Sequence, residues 1–362
     1  MSAVVQLPRS RHAPRAQAAP RIALLGTGVV GSAFVARCGR LRAAGVEVPD
    51  FAWLGNSRTL AEGVDDPAVA LALVNAAPAR SGPWAPWAEA TGLQRGDVVV
   101  DATASDTVAG WHAEWLARGV HVVTANKLGC GGELARAQAI AEAAAGSGAR
   151  YGDAATVGAG LPVLHAIRGL VAGGDRIHGI EGVLSGSLAW LFDHHDGHRP
   201  FSALVREARA LGYAEPDPRI DLSGEDVRRK LLILARAAGV PLQAEQVDVE
   251  SLLPAALAAA SADEADKRLE LLDEPLAERL VEARARAERL RFVGRFDGGG
   301  ARVGLCPLPE GHPLCAGGGT GNVVAISSCR YAEQPLVVAG PGAGAEVTAA
   351  ALLDEVLEIA RR

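Results

Sequence analysis

The sequence contains very little lysine. Its 36 basic residues include only three lysines, Lys127, Lys230 and Lys267, and all the others are arginines. Arginine stays protonated in proteins, whereas a buried lysine can lose its proton near neutral pH. A lysine that is retained in so arginine-rich a chain is therefore a candidate for a role that requires titration.

The chain also lacks long apolar runs and an excess of positive charge. Hydrophobic residues make up 49% of it, but Gly, Arg or Asp interrupts each run before it reaches the roughly 20 residues of a membrane span. The net charge of -6 argues against a polyanionic partner, because nucleic-acid-binding proteins concentrate positive charge on one face. We expect no membrane and no nucleic-acid partner, and a small-molecule substrate instead.

Cysteine is scarce and shows no pattern. The five cysteines form no CxxC pair and are odd in number, which favours reduced thiols over a disulfide framework. The first residues carry several prolines and arginines but no apolar core of the kind that a secretory signal needs. We therefore predict a cytoplasmic protein whose residues 1–19 form a disordered tail.

The order of secondary-structure signals predicts two domains, since 362 residues are too many for one ordinary core. In the first part, short apolar strands alternate with helices, which is typical of a parallel sheet. Beyond residue 150 the pattern becomes α+β. The prediction is a Rossmann-type nucleotide domain over 20–150, on which 331–362 packs back, and a substrate domain over 151–330.

Individual elements are predicted from periodicity and from flanking Gly and Pro. The predicted strands are 21–25, 51–55, 97–101, 120–124, 177–184, 291–296, 301–305 and 323–326. The predicted helices are 201–211, 225–238, 275–290 and 346–361.

A glycine-rich turn follows the first strand and opens a helix. It consists of Gly26, Thr27, Gly28, Val29, Val30 and Gly31 and matches the pattern GxGxxG. In a chain with 43 glycines the match alone could be chance or a plain tight turn. Its place between strand and helix favours dinucleotide binding, because free backbone N–H groups and the helix dipole suit a pyrophosphate.

The residues after the second strand bear on the choice between NADP and NAD. An acidic residue there would accept the ribose hydroxyls and repel a 2′-phosphate. This chain has Asn56 and Arg58 instead of a carboxylate, which favours NADP over NAD. Arg58 is either a ligand of the phosphate or a solvated loop residue.

The segment 212–230 is the densest in acidic and basic residues. A proline-rich loop presents Glu215 and Asp221, and Asp226 and Lys230 lie four residues apart on one helix face. They could form an ordinary surface pair. The apolar run 231–234 instead places Lys230 at the border of a buried face, where a lowered pKa would let it exchange a proton with an alcohol or alkoxide.

Further polar residues follow the third and fourth strands. Thr103 and Ser105 come after one, and Lys127 comes after the other. Ligands of open parallel sheets bind beyond the carboxyl ends of the strands, so Lys127 is expected near the nicotinamide, although a plain surface loop is the alternative. His194, His195 and His198 are interpreted as a solvated loop rather than as metal ligands.

The sequence resembles the homoserine dehydrogenases in their short, monofunctional form. The resemblance is carried by GTGVVGSAF from Gly26, DATASD from Asp101, TANK from Thr124 and ATVGAGLP from Ala155. It is also carried by EGVLSGSLAWLF from Glu181, the segment 212–236 and GPGAGAEVTA from Gly340.

The resemblance implies reduction of L-aspartate 4-semialdehyde to L-homoserine with NAD(P)H, on the route to threonine and methionine. It implies that Lys230 is the catalytic proton donor and acceptor, that Lys127 lies beside nicotinamide and substrate, and that Glu215 holds the substrate amino group. Asp221 and Asp226 would line the same pocket. The implied cofactor residues are Thr27, Val29, Val30, Thr103, Lys127 and Gly344.

The resemblance also implies a homodimer, formed through the second domain, and a structural monovalent cation such as Na⁺. The carbonyls that would hold the cation are those of Val157, Ala159 and Leu161, but Ala154 stands where a carboxylate is possible. Two alternatives remain open at this stage. One is another two-domain amino-acid dehydrogenase, and the other is a nucleotide sensor without catalysis.

Overall fold

The structure is a computed structural model that describes residues 19–78 and 92–361. The predicted tail lies outside the described residues except for Ala19. No helix within the described ranges is both long and apolar enough to cross a membrane.

The first sheet has six strands in the order β3-β2-β1-β4-β5-β6. All pair in parallel except β3, which is antiparallel to β2. The strands are β1 Ile22–Leu25, β2 Phe51–Gly55, β3 Leu60–Val64, β4 Val98–Asp101, β5 His121–Thr124 and β6 Tyr151–Gly152. The predicted Rossmann-type parallel sheet is thus confirmed. Its polar edge strand β3 was not predicted, because LAEGV carries no apolar alternation.

Helices cover both faces of this sheet, which explains why its central strands are uninterrupted apolar runs. The side chains of Phe34 and Val35 pack on one face and those of Trp115 and Ile140 pack on the other. The helices are α1 Val29–Ala43, α2 Pro67–Ala76, α3 Asp106–Ala117 and α4 Leu134–Ser147.

The second sheet has the strand order β12-β11-β7-β9-β10-β8 and is antiparallel except for the β8–β10 pair. Its strands are β7 Ile177–Val183, β8 Val247–Val249, β9 Glu288–Asp297, β10 Gly300–Pro309, β11 Gly321–Ser328 and β12 Leu336–Pro341. The accompanying helices are α5 Val163–Ala172, α6 Gly186–His194, α7 Phe201–Ala210, α8 Pro218–Leu222, α9 Glu225–Ala237, α10 Ala255–Ala258, α11 Ala262–Ala265 and α12 Asp273–Ala285.

The last helix, α13 Ala345–Ala360, leaves the second sheet and packs on α1 in the core of the first sheet. Strand β12 belongs to the segment that the predicted division gave to the first domain. It pairs instead with β11 in the second sheet, so only the helix after it returns.

The predicted helix over 275–290 is too long at its C-terminal end. It ends at Ala285, Ala287 takes a φ of 54°, and β9 begins at Glu288. Glu288 pairs with Pro309 at one end of the β9–β10 ladder, which continues to Asp297 and Gly300. The local helical pattern was overridden by strand pairing with residues about 20 positions away.

Candidate active site

Two adjoining cavities lie between the two sheets, beyond the carboxyl ends of the parallel strands. Their volumes are about 590 Å³ and 810 Å³. The first is lined from the nucleotide side by Thr103 and Ala125, and the second is lined by Ser187, Glu215 and Asp221. Both share the residues Lys127, Arg229, Lys230, Ala343 and Gly344.

The glycine turn is built for close approach of a ligand to the backbone. Gly26 has a φ of 97°, and a Cβ there would lie 2.7 Å from the carbonyl oxygen of Ala102. A Cβ at Gly31 would lie 1.8 Å from the Gly26 oxygen, so this glycine is needed for the turn itself. A Cβ at Gly28 would meet nothing within 4 Å. The open space at Gly28, before the uncapped N-terminus of α1, therefore fits a pyrophosphate.

Side chains beside this turn hold its shape. The Thr27 hydroxyl donates to Asn75 Oδ1 at 2.6 Å and accepts from Asn56 Nδ2 at 2.9 Å. Arg58 is exposed and donates to the Asn75 carbonyl at 2.8 Å. Val29 is 78% exposed at the mouth of the turn, and Val30 lines the first cavity. Asn56 thus supports the turn through Thr27, while the Arg58 guanidinium stands at the surface.

Asp101, at the end of β4, organises the next part of the cleft. It is fully buried, accepts from the Thr103 N–H at 2.9 Å and accepts from Asn126 Nδ2 at 3.0 Å. His112 Nε2 lies 2.9 Å from Oδ2 of Asp101, the same oxygen that accepts from Asn126. Ser105 faces away from the cavity, caps α3 and accepts from Asn126 through its carbonyl. The network fixes Asn126 and hence the position of Lys127 directly after it.

Lys127, Asp226 and Lys230 form one charge cluster at the junction of the cavities. Asp226 Oδ1 lies 3.2 Å from Lys127 Nζ, and Asp226 Oδ2 lies 2.8 Å from Lys230 Nζ. Burial disfavours the carboxylate, but the ammonium groups of Lys230 and Lys127 outweigh it and hold the pKa of Asp226 well below its usual range. Burial lowers the pKa of Lys230, and the attraction of Asp226 limits that shift.

Lys230 is held from a second side as well. It is only 8% exposed, and its ammonium donates to the Leu184 carbonyl at 2.7 Å. Asn322 Nδ2 donates to the same carbonyl at 3.3 Å. The Leu184 carbonyl and the Asp226 carboxylate thus use two of the three N–H groups of Lys230. Within the described part of the chain, the third N–H is left for a ligand.

The acidic segment before α9 contributes the far wall. The sequence predicted a loop here, but only Glu215 lies in a loop, and Asp221 belongs to the short helix α8, which begins at Pro218. Asp221 accepts from the Ser187 hydroxyl at 2.6 Å and from the Glu215 N–H at 2.8 Å. Burial raises the pKa of Asp221, although the hydrogen bond from Ser187 opposes this. The Glu215 side chain is exposed at the cavity. The N-cap of α9 is Gly224.

The predicted cation loop lies beside the first cavity. Gly158 and Ala159 line that cavity and have φ angles of 73° and 51°, and Gly344, with φ 128°, faces it from the start of α13. The Leu161 carbonyl already accepts from the Val163 N–H at 2.8 Å. The Asp153 carboxylate lies 2.6 Å from Arg168 Nη2, in another cavity.

The histidine cluster is more ordered than a solvated loop. His194 stacks on Trp190 with ring centroids 4.1 Å apart. His195 is 6% exposed, and its Nε2 lies 3.2 Å from the Leu276 carbonyl. The solvated-loop prediction is wrong for these two residues, which pack into the second domain.

Sequence reasoning missed the residues that hold the charge cluster of Lys127, Asp226 and Lys230 in place. They are Asp101, Asn126, Ser187, Leu184 and Asn322. Asp101 and Asn126 stand in the motifs DATASD and TANK, at the ends of neighbouring parallel strands, and that position was a usable signal. Asn322 had none, because its contact with Leu184 spans 138 residues.

Comparison with known proteins identifies the family of the chain. A family model described as homoserine dehydrogenase matches residues 162–357, and one described as its NAD-binding domain matches residues 26–152. A bifunctional aspartokinase/homoserine dehydrogenase of Zea mays is 44% identical over 266 residues, which are 73% of this chain and 29% of that protein. The chain thus spans about 29% of the length of the first curated relatives it matches.

Two further relatives are similar over a larger share of their own length. The homoserine dehydrogenase of Saccharomyces cerevisiae is 37% identical over 273 residues, which are 73% of this chain and 76% of that protein. A solved Candida auris protein of unknown function has a TM-score of 0.83 and 33% identity, over 95% of this chain and 98% of that one. With its two matching family models, the chain belongs to the homoserine dehydrogenase family of NAD(P)-dependent oxidoreductases.

Proposed function

We propose that the protein interconverts L-aspartate 4-semialdehyde and L-homoserine with NADPH and NADP⁺. The observation that carries the proposal is the buried ammonium of Lys230, which meets both cavities and, among the residues that the structure describes, uses only two of its N–H groups on protein partners. The names of the curated relatives supply homoserine as the substrate, and oxidation of its hydroxyl group to an aldehyde gives L-aspartate 4-semialdehyde.

The two cavities divide the ligands. The glycine turn would hold the pyrophosphate of a nicotinamide cofactor, and Thr103 and Lys127 would hold its nicotinamide end in the first cavity. A bound cofactor would supply the hydride for the carbonyl carbon. The amino-acid aldehyde lies in the second cavity. Gly28 leaves room for the pyrophosphate, and the open face before α1 provides N–H donors for it.

Lys230 supplies the proton. As the carbonyl is reduced, its oxygen gains negative charge, and the third N–H of Lys230 protonates that oxygen. In the reverse direction the neutral amine removes the hydroxyl proton of homoserine. Burial makes the neutral form accessible, and Asp226 stabilises the ammonium that forms.

The acidic segment before α9 orients the amino-acid end of the substrate. Glu215 presents an exposed carboxylate for the substrate ammonium, and Asp221 holds the Glu215 backbone through its N–H. Lys127, bridged to Asp226, places a positive charge beside both nicotinamide and substrate.

The preference for NADP rests on the rim of the cofactor cleft. Arg58 stands exposed beyond β2, and Asn56 replaces the carboxylate that would favour NAD. For Arg58→Ala we expect the KM for NADPH to rise about tenfold, because a charge-assisted bond to phosphate is lost, while the KM for NADH stays the same. Equal changes in KM for both cofactors would indicate that Arg58 supports the local structure and does not bind the 2′-phosphate.

The structural cation is supported only in part. Gly158 and Ala159 turn the backbone with positive φ angles, and carbonyl oxygens are ligands that suit a hard cation. The Gly158 and Leu161 carbonyls, however, each already accept one backbone hydrogen bond, and Ala154 adds no side-chain oxygen. No step above depends on it. Replacing NaCl by choline chloride lowers the melting temperature if the site is real and leaves it unchanged if it is not.

The assignment of 20–150 to the cofactor and 151–330 to the substrate and to a homodimer interface belongs to the same proposal, as does a cytoplasmic location. The five free cysteines are compatible with a reducing compartment. Light scattering on the purified chain tests the dimer: a mass of one chain would overturn it.

The decisive test of the function is a spectroscopic assay. Protein, NADP⁺ and L-homoserine are mixed, and the absorbance of reduced nicotinamide is followed, with L-serine and L-threonine as matched hydroxy amino acids. We expect rapid reduction with homoserine alone. A faster reaction with another hydroxy amino acid would indicate a different dehydrogenase, and cofactor binding without turnover of any of them would indicate a sensor.

A further inference from the structure

A row of buried hydrogen bonds runs from strand β6 to the cleft. The Tyr151 hydroxyl lies 3.2 Å from Nδ1 of His112, and Nε2 of His112 lies 2.9 Å from Oδ2 of Asp101. The same oxygen accepts from Asn126 Nδ2 at 3.0 Å. His112 and Asp101 are fully buried, and of the four residues Asn126 alone lines a cavity of the cleft. We call these four residues the His112 network.

Asp101 determines where the hydrogens of this network lie. A carboxylate only accepts hydrogen bonds, so Nε2 of His112 carries the hydrogen that faces Asp101. Nδ1 can then accept the hydroxyl hydrogen of Tyr151. Tyr151 thereby stabilises the ring orientation and the tautomer in which His112 donates to Asp101.

The loop after β5 is shaped to fit this network. A Cβ on Gly129 would lie 2.2 Å from the Tyr151 hydroxyl and 3.0 Å from His112 Nδ1. A side chain there would push the two groups apart or lift the loop, so a residue without a Cβ is needed. Lys127 belongs to the same loop, two residues before Gly129. The segment that carries Lys127 therefore lies directly against the contact between Tyr151 and His112.

Asn126 connects the network to Lys127. Its Nδ2 donates to Asp101, and its Oδ1 accepts from the Leu128 N–H at 3.1 Å. The amide side chain thus closes a turn around the backbone of Lys127, as Asn side chains commonly do. Lys127 Nζ lies 3.2 Å from Asp226 Oδ1 at the junction of the two cavities. The position of that ammonium group depends on the orientation of the Asn126 amide.

We propose that His112 is a positioning residue for Lys127. It acts through Asp101 and Asn126. Without the N–H of His112, Asp101 Oδ2 has a single side-chain donor, and a buried carboxylate that loses a charge-assisted bond shifts towards its remaining donors. Asn126 moves with it, and Lys127 leaves its place beside Asp226. The effect on turnover rests on the proposed function, whereas the effect on the loop does not.

A double-mutant cycle between His112 and Lys127 tests the proposal. His112→Leu removes both ring nitrogens, and we expect kcat/KM for homoserine to fall about fivefold because one charge-assisted contact is lost. In a Lys127→Met background the same change should lower kcat/KM by less than about twofold, since the residue on which His112 acts is already gone. Equal falls in both backgrounds would overturn the proposal.

Two smaller changes test the hydrogen bonds themselves. His112→Gln keeps an N–H donor for Asp101, and its kcat/KM should stay within about twofold of the wild type. Tyr151→Phe removes one oxygen, keeps the ring and should lower kcat/KM by about threefold. Leu116→Ala, a buried control on the same helix, should lower the melting temperature and leave kcat/KM unchanged. A His112→Gln or Leu116→Ala variant as slow as His112→Leu would contradict the proposal.

Hydrogen exchange tests the loop without turnover. In His112→Leu the amides of residues 126–131 should exchange about tenfold faster than in the wild type, because the Leu128 N–H loses its fixed acceptor. Leu116→Ala should leave their exchange unchanged, and unchanged exchange in His112→Leu would overturn the proposal. If the wild type oxidises no homoserine, the proposed function fails, and the exchange of this loop still decides the role of His112.

Discussion

Asp226 in the cleft and Glu355 on α13, which lines a separate cavity with Asp153 and Arg168, are both partly buried carboxylates, yet their pKa values shift in opposite directions. Asp226 lies against two lysine ammonium groups, which overcome burial and lower its pKa. Glu355 is buried beside the charge of Asp153, and its pKa rises to about 7. At Asp226 the two ammonium groups outweigh burial, whereas at Glu355 burial dominates, the charge of Asp153 adds to it, and Arg168 opposes both only in part. Two cations in direct contact therefore keep a buried carboxylate charged, and a cation that is shared with a second carboxylate does not.

The largest effect is expected from removing the proposed proton donor, Lys230, which is paired with Asp226. Lys230→Met keeps the volume of the side chain but cannot exchange a proton, so kcat should fall about a thousandfold in either direction. NADPH binding, measured by nicotinamide fluorescence, should stay unchanged because Asp226 keeps Lys127 as its partner. A kcat within tenfold of the wild type would remove Lys230 from the chemistry.

The next effect concerns the contribution of Glu355 to the free energy of unfolding. The pKa of Glu355 is raised from 4.5 to about 7, so its contribution to folding is complete below pH 4.5 and is lost as the pH rises to 7. Glu355→Gln should match the wild type near pH 4.5 and exceed it above pH 7, by on the order of 3 kcal/mol. Urea unfolding at both pH values measures this.

Asp354→Asn serves as the matched control for that experiment, since this carboxylate is exposed on the same helix. Its difference from the wild type should be the same at both pH values. If Glu355→Gln also shows no dependence on pH, the two carboxylates do not differ as described.

A smaller effect should follow from removing Lys127 while Asp226 and Lys230 are kept. Lys127→Met takes away one of the two ammonium groups that face Asp226, 3.2 Å from Oδ1. We expect kcat/KM for homoserine to fall by roughly tenfold, about the value of one charge-assisted contact. Steady-state kinetics over a range of homoserine concentrations checks this, and an unchanged kcat/KM would exclude Lys127 from the site.

The smallest effect is expected where the cleft carries no charge. Gly28→Ala adds a Cβ with nothing within 4 Å, so stability should be unchanged while the KM for NADPH rises about fivefold by loss of space for the pyrophosphate. This increase should not depend on pH. Gly31→Ala is the contrasting variant, because its Cβ would meet the Gly26 carbonyl at 1.8 Å and should destabilise the fold.

Features within one element were predictable from the sequence. The strand Phe51–Gly55 has the predicted bounds, and the helical spacing of Asp226 and Lys230 correctly placed them on one face. The apolar run after Lys230 correctly indicated burial. These predictions succeed because period and spacing act over one or two turns of chain.

Features that join distant segments were not predictable. Lys127 lies about 100 residues from Asp226, and Leu184 lies 46 residues from Lys230. Asp153 and Glu355 from α13 line the same cavity, and no local pattern connects them. Such contacts depend on how the two sheets and the last helix pack, which is a tertiary property.

The central claim is that Lys230 exchanges the proton and that Asp226 tunes its pKa, and the pH dependence of kcat for homoserine oxidation in Asp226→Asn tests it most directly. Oxidation needs the neutral amine, so the rate rises with pH through the pKa of Lys230. Asp226 opposes the burial that lowers this pKa. Removing its charge should therefore shift the rise to lower pH, and a rise at the wild-type pH or at higher pH would contradict the account.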